Sequence, residues 1–273
     1  MKAKSKTLVV LTESAIMIAL ATVLSFVKLI DLPYGGSITV GSMLPIIIVA
    51  YRHGIKAGSI CALCFSVLQL LFGLNNLSYA TSWQAGVAIV MLDYIVAFTA
   101  LGLAAIPRKF IKDNQSTALV TGAILACLIR YICHVISGCT VWAGVSIPDS
   151  QGIIYSLSYN ATYMIPETII IIAFAAYLSR FIDLRSETPR AMKHTSSTPF
   201  ILALIGWLFA IATVTFDTVK IFGVLQNAET GEFDFSLIST APWQLIGIVT
   251  AIGAVVTIIF LIAAHCVKKS ASK

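Results

Sequence analysis

The sequence predicts an all-α, polytopic membrane protein, and three observations predict it. Of its 273 residues 58% are hydrophobic and only 11% are charged, with a mean hydropathy of +0.93; a soluble domain carries about 25% charged residues. The apolar residues fall in long unbroken runs, near the roughly 20 residues that a helix needs to cross a bilayer, rather than in the alternating strands of a membrane barrel. Fifteen of the 18 Lys and Arg fall on one side when the chain is threaded through an even number of spans.

Eight segments are expected, at about 8–30, 38–51, 58–74, 84–106, 117–140, 153–180, 199–222 and 242–267. Segment 1 follows Lys2, Lys4 and Lys6; it lacks a small-residue cleavage site, so it is expected to remain as a span. Segment 2 is short and holds Pro45, and is expected to be kinked or partly re-entrant. It is followed by Arg52 and Lys56. Segment 3 carries Cys61-x-x-Cys64 with no second pair nearby, which reads as ordinary buried thiols. Arg108, Lys109 and Lys112 follow segment 4, and Arg180, Arg185, Arg190 and Lys193 follow segment 6. Lys268, Lys269 and Lys273 close segment 8. The opposite loops hold Asp31, Asp149, Glu229, Glu232 and Asp234. The positive-inside rule then expects both termini in the cytoplasm.

The polar stretch 184–198, with Pro189 inside and Pro199 just after it, divides the chain. The expected parts are a six-span unit (1–182), a cytoplasmic linker (183–198) and a C-terminal two-span hairpin (199–273) with no assigned role. No internal repeat supports an inverted-repeat carrier, and no GxxxxGK[ST] run supplies a P-loop ATPase. The net charge of +6 sits in short loops, so it reads as membrane topology rather than nucleic-acid binding.

Ionisable residues at bilayer depth mark pairs or ligand paths. Asp93, Arg130 and Glu167 each lie about 13 residues from the basic end of their segments and so are expected at one depth. Arg130 and Glu167 read as an interior structural ion pair. Segment 4 opens with Trp83 and carries Asp93-Tyr94. Segment 5 places His134, Gly138 and Trp142 at four-residue intervals, on one helical face. Segment 6 places Ser156, Asn160, Tyr163 and Glu167 at spacings of 4, 3 and 4, with Tyr155 and Tyr159 beside them. Singly, Trp83, Trp142 and Tyr155 fit the interfacial aromatic belt. Together, a carboxylate, an imidazole, a carboxamide and several aromatics suit a small, flat, cationic, hydrogen-bonding ligand. No HExxH is present, and Ser137 is the one obvious hydroxyl beside His134, so no enzyme, metal or cofactor is expected.

Several short motifs, in this order, resemble one family. They are Leu11-Thr12-Glu13 with Ala15-x-x-x-Ala19, Leu92-Asp93-Tyr94, Arg130-Tyr131-x-x-His134 with Trp142, and Tyr155-Ser156-x-x-x-Asn160. They are similar to the thiamine-specific S components of energy-coupling factor (ECF) transporters, over about residues 7–182. The resemblance implies a six-helix membrane unit that captures thiamine from outside. It implies as partners a transmembrane coupling subunit and two cytoplasmic ATPases, in the cell membrane of a Gram-positive bacterium. It assigns thiamine binding to Asp93, Tyr94, His134, Trp142, Tyr155 and Asn160, with Trp83 as a further pocket aromatic and Tyr34 as the lid aromatic. It assigns docking of the coupling subunit to Ala15 and Ala19. Two positions depart from the family pattern: Asp93 stands where Glu is usual, and Tyr34 where Trp is usual. Three other readings stay open: another vitamin or a thiamine precursor as ligand, a stand-alone proton-coupled carrier, and a membrane hydrolase using Asp93 and His134.

Overall fold

The computed structural model describes residues 2–31, 36–142, 152–192, 198–225 and 234–270. Among these, seven helical runs are long and apolar enough to cross a membrane. The chain divides into two compact units, 1–179 with 184–188, and 180–183 with 189–273.

In the first unit α1 (Lys2–Phe26) leads into a small antiparallel hairpin, β1 (Lys28–Asp31) with β2 (Ser37–Thr39). The run Leu44–Phe72 then breaks at Gly54, whose φ of 86° lies in the left-handed region that glycine tolerates. The break makes two helices, α2 (44–53) and α3 (55–72), which fold back on each other. A Cβ built on Gly58 would lie 2.6 Å from the Ala50 backbone, so only glycine permits that approach. Pro45 does not kink α2: it sits in the first turn, where a missing N–H costs nothing. At ten residues α2 is roughly 15 Å long, half a bilayer core, and it is buried from Leu44 to Tyr51.

The fourth pass, α4, runs from Trp83 to Lys109. Ser82 caps its start by accepting from the Ala85 N–H at 3.1 Å. It is not a uniform α-helix. It is π-helical over Ile89–Val96, around Asp93, and 3₁₀ over Ala100–Ala105 and Pro107–Lys109. Asn114 caps α5 (Gln115–Thr140), accepting from Thr117 N at 3.0 Å. The last pass is α6 (Gly152–Phe181), with Pro166 inside it beside Glu167. The polar stripe of α6 faces inward: Ser156, Asn160, Tyr163 and Glu167 are all buried.

One end of this unit gathers arginines. Arg52 Nε and Nη2 both donate to Glu13, Nη1 donates to Leu184 O (2.7 Å) and Ser186 O (3.3 Å), and Nη2 also reaches Glu187 O (3.2 Å). Arg108 donates to the carbonyls of Tyr51 and Arg52, and Arg185 to Tyr51 Oη at 3.0 Å and to the carbonyls of Lys112 and Ile111. Segment 184–188 is therefore packed chain rather than open linker. The other end, where α1, α3 and α5 finish, encloses a cavity.

The second unit holds a short ladder, β3 (Ile182–Asp183) with β4 (Arg190–Ala191), and the helices α7 (Thr198–Leu225) and α8 (Trp243–Ser270). These two pack against each other through Phe209 stacked on Phe260 and through Thr257 Oγ1 donating to Gly206 O at 3.2 Å.

Candidate functional site

The cavity has a volume of about 390 Å³, within the usual range for small-molecule sites. Helices α3 to α6, the end of α1 and the β1–β2 hairpin line it. At its centre is Asp93, 9% exposed and held on the π-helical turn of α4; such turns widen a helix and recur at functional sites. Three side chains from α5 and its end converge on this carboxylate. Ser137 Oγ and Trp142 Nε1 each donate to Oδ2 at 2.9 Å, and His134 Nδ1 lies 3.1 Å from Oδ1. A carboxylate has about four acceptor positions, so one remains for a ligand. His134 Nε2 is buried, has no hydrogen-bond partner among the described residues, and belongs to a side chain that lines the cavity.

Toward the arginine end, the floor is a second polar cluster. Arg130 Nη1 donates to Glu167 Oε2 at 3.0 Å, and Thr39 Oγ1 donates to Oε1 at 2.7 Å. The Arg130 guanidinium also lies over the Phe98 ring, 4.7 Å from its centre. Its Nε is buried and unpaired.

Asp93 is not level with Arg130, as equal residue counts imply. It meets His134, Ser137 and Trp142, one to three turns further along α5. The nine 3₁₀ residues of α4 explain much of this. Each rises about 2.0 Å instead of 1.5 Å, which lifts Asp93 by nearly one helical turn.

The other expected residues divide. Tyr94 lines the cavity but spends its hydroxyl locally: it donates to Gly73 O (3.2 Å) and accepts from Asn76 Nδ2 (2.8 Å), pinning the 74–79 turn. Asn160 lines the cavity with its amide donating to Ser156 O (2.9 Å) and its oxygen accepting from Tyr163 Oη (2.6 Å). The Trp142 ring lines the cavity beside Tyr79, at 5.9 Å between centres. Trp83 is a correction. It is 76% exposed and does not line the cavity, because the start of α4 turns it outward. Tyr155 lies on α6, but its side chain is outside the described residues, as is Tyr34. Ala15 and Ala19 are exposed on α1 rather than packed in the bundle.

Ser137 and Thr39 carry the geometry and are not expected from sequence as ligand-site residues. Ser137 stands three residues from His134, and that spacing is the signal for it. Thr39 opens an apolar segment and gives none. Ser137 donates to Asp93, not to His134, so the three do not form the serine–histidine relay a hydrolase needs.

These features define a class: a multi-span helical membrane protein with a cavity lined by polar and aromatic side chains near one end of its first unit. A family model described as thiamine transporter protein (Thia_YuaJ) matches residues 11–184. The chain is 37% identical over 179 residues to thiamine transporter ThiT of Bacillus subtilis, covering 61% of this chain and 88% of that one. It is 26% identical over 188 residues to thiamine transporter ThiT of Lacticaseibacillus paracasei, covering 63% and 88%. A solved structure of ThiT from Listeria monocytogenes shares the fold, with a TM-score of 0.53 at 23% identity over 64% of this chain and 94% of that one. The chain belongs to the thiamine transporter protein family, a family of transporters and not of enzymes.

Proposed function

We propose that this chain is a membrane substrate-binding subunit that captures extracellular thiamine for ATP-driven uptake by an ECF-type transporter. One observation carries the ligand: charge. Among the described residues, the acidic and basic side chains lining the cavity are Asp31, Asp93, Glu167, Lys28, Arg130 and His134. Lys28 pairs with Asp31 and Arg130 with Glu167, so among the described residues Asp93 is the lining carboxylate that no lysine or arginine meets. Thiamine is a monocation, flat in both rings, with an amino group to donate. It supplies the missing positive charge, while the remaining acceptor position of Asp93 and the unpaired Nε2 of His134 suit its amino group. Tyr34 and Tyr155 complete the proposed thiamine contacts by family resemblance.

The positive-inside rule puts the arginine end in the cytoplasm, the cavity outside and both termini inside. Release inward then needs a rearrangement driven by ATP hydrolysed on partner subunits. Small residues at i and i+4 let another helix approach closely, and the exposed Ala15 and Ala19 are the proposed docking face for the coupling subunit. The Gram-positive relatives support a cell-membrane location in such a bacterium.

The test is reconstitution in liposomes. The chain alone should bind thiamine without accumulating it, and accumulation should need ATP, coupling subunit and ATPases together. Uphill uptake by the chain alone would favour a proton-coupled carrier. Ala15→Leu with Ala19→Leu should keep thiamine binding and lose co-purification of the coupling subunit.

A further inference from the structure

The link between α3 and α4, a 3₁₀ turn over Leu74–Tyr79, is tied to the cavity site at both of its ends. Tyr94, the residue after Asp93, holds its start. The Tyr94 hydroxyl donates to Gly73 O (3.2 Å) and accepts from Asn76 Nδ2 (2.8 Å), and Ser66 Oγ on α3 donates to the Tyr94 carbonyl at 3.1 Å. A Cβ built on Gly73 would lie 2.1 Å from the Tyr94 hydroxyl oxygen, so only glycine leaves room for this contact. Tyr79 stands at the end of the turn. Its ring lies 5.9 Å from the Trp142 indole, tilted by 51°, within the spacing of about 4.5–7 Å at which aromatic rings attract. Trp142 lines the cavity and Tyr79 does not, so Tyr79 meets the indole from outside it.

These contacts close a circuit. Asp93 is joined to Tyr94, Tyr94 holds the turn, the turn carries Tyr79, and Tyr79 backs Trp142. Trp142 Nε1 then returns to Asp93 Oδ2 at 2.9 Å. Trp142 has reason to be backed. It lies two residues beyond the end of α5 at Thr140, and its amide reaches Ser137 O only at 3.4 Å. It is therefore outside the regular helix, whose backbone would restrict its rotamers. The Tyr94 hydroxyl has one hydrogen, which goes to Gly73 O, so it has none to give a ligand.

We propose that Tyr79 and the Tyr94 hydroxyl are positioning groups for the ligand of the cavity. They act through Trp142, holding its indole where it donates to Asp93 and presents its ring to the cavity. The inference rests on the thiamine reading of that site for the ligand alone; the circuit itself belongs to the free protein.

The experiment has two arms, and the first needs no ligand. The full chain is labelled with fluorotryptophan and read by fluorine NMR without thiamine, with Trp142→Phe to identify the Trp142 resonance. Tyr94→Phe removes only the hydroxyl and leaves Tyr79, Trp142 and Asp93 in place. It should shift or broaden the Trp142 resonance as Tyr79→Leu does, with Trp207 and Trp243 unchanged. A Trp142 resonance that stays put in Tyr94→Phe would overturn the proposal. The second arm is thiamine affinity by calorimetry. Tyr94→Phe and Tyr79→Leu should each weaken it about threefold to tenfold, the scale of one aromatic contact. The double variant should be no weaker than the weaker single, since both break one circuit. Losses that multiply in the double variant would mean that Tyr94 meets thiamine by itself, and the positioning role would be wrong. Tyr79→Phe keeps the ring and should bind within about twofold of the wild type; a loss as large as that of Tyr79→Leu would refute the ring contact. A wild type that binds no thiamine would sink the thiamine reading, and the first arm would still decide the circuit.

Discussion

The two ends of the first unit use similar residues for opposite purposes. At the arginine end every nitrogen of Arg52 is engaged, and Glu13 takes both Arg52 and His53, the latter at 2.9 Å. At the cavity end the polar groups are buried but not equally spent: among the described residues His134 Nε2 and Arg130 Nε have no partner. Buried polar atoms without partners cost stability, and both of these belong to side chains that line the cavity. The difference teaches that closure and binding are separable.

Substitutions can break this comparison, and the largest effect is expected at the cavity floor. Arg130→Gln leaves Glu167 buried without its cation, and stripping one partner from a buried pair costs about 3–5 kcal/mol. The melting temperature should fall markedly, and Arg130→Gln with Glu167→Gln should recover part of the loss. A double variant no better than either single would remove the pair from the account. Arg52→Ala should come next, at about 3 kcal/mol in a melt, since its side chain is 3% exposed and holds Glu13. Its thiamine affinity should stay within about threefold of the wild type. Any larger change would tie the arginine end to the ligand and dissolve the distinction.

Asp93→Asn should show the reverse pattern. Hydrogen bonds to charged groups are worth about 1.5–3 kcal/mol. Thiamine affinity should therefore drop by about tenfold to a hundredfold, read by calorimetry, in a protein that still melts cooperatively. Trp83→Phe should do least. A surface change of this kind falls within about 0.5 kcal/mol, so affinity and melting should both hold. A loss of affinity there would return Trp83 to the pocket.

Much of this was legible in the chain itself. The helical passes follow from apolar runs and basic loops, and the inward stripe of α6 follows from its 4, 3, 4 spacing. His134 and Asn160 are polar where lipid would not want them, and Trp142 falls on the same helical face as His134, which is why they can be found. What was not legible depends on backbone rather than on residue type. Unequal helical rise along α4 moved Asp93 against Trp142, and no count at a fixed rise can see that. Trp83 is indistinguishable in sequence from a pocket aromatic, because the face of a helix start depends on its turn. Pro45 looked like the breaker, yet Gly54 is the break, because a proline in a first turn is harmless. Thr39 reaches Glu167 across 128 positions of sequence, through a tertiary contact without a local pattern.

The central claim is that thiamine binds at the cavity end through Asp93 and His134 while the arginine end only closes the bundle. The most direct measurement is a thiamine titration of the purified chain followed by tryptophan fluorescence, with Asp93→Asn, His134→Ala and Arg52→Lys alongside. The account predicts saturable quenching in the wild type and in Arg52→Lys, and binding weakened at least about tenfold in both cavity variants. Wild-type affinity in Asp93→Asn and His134→Ala, with loss in Arg52→Lys, would contradict it.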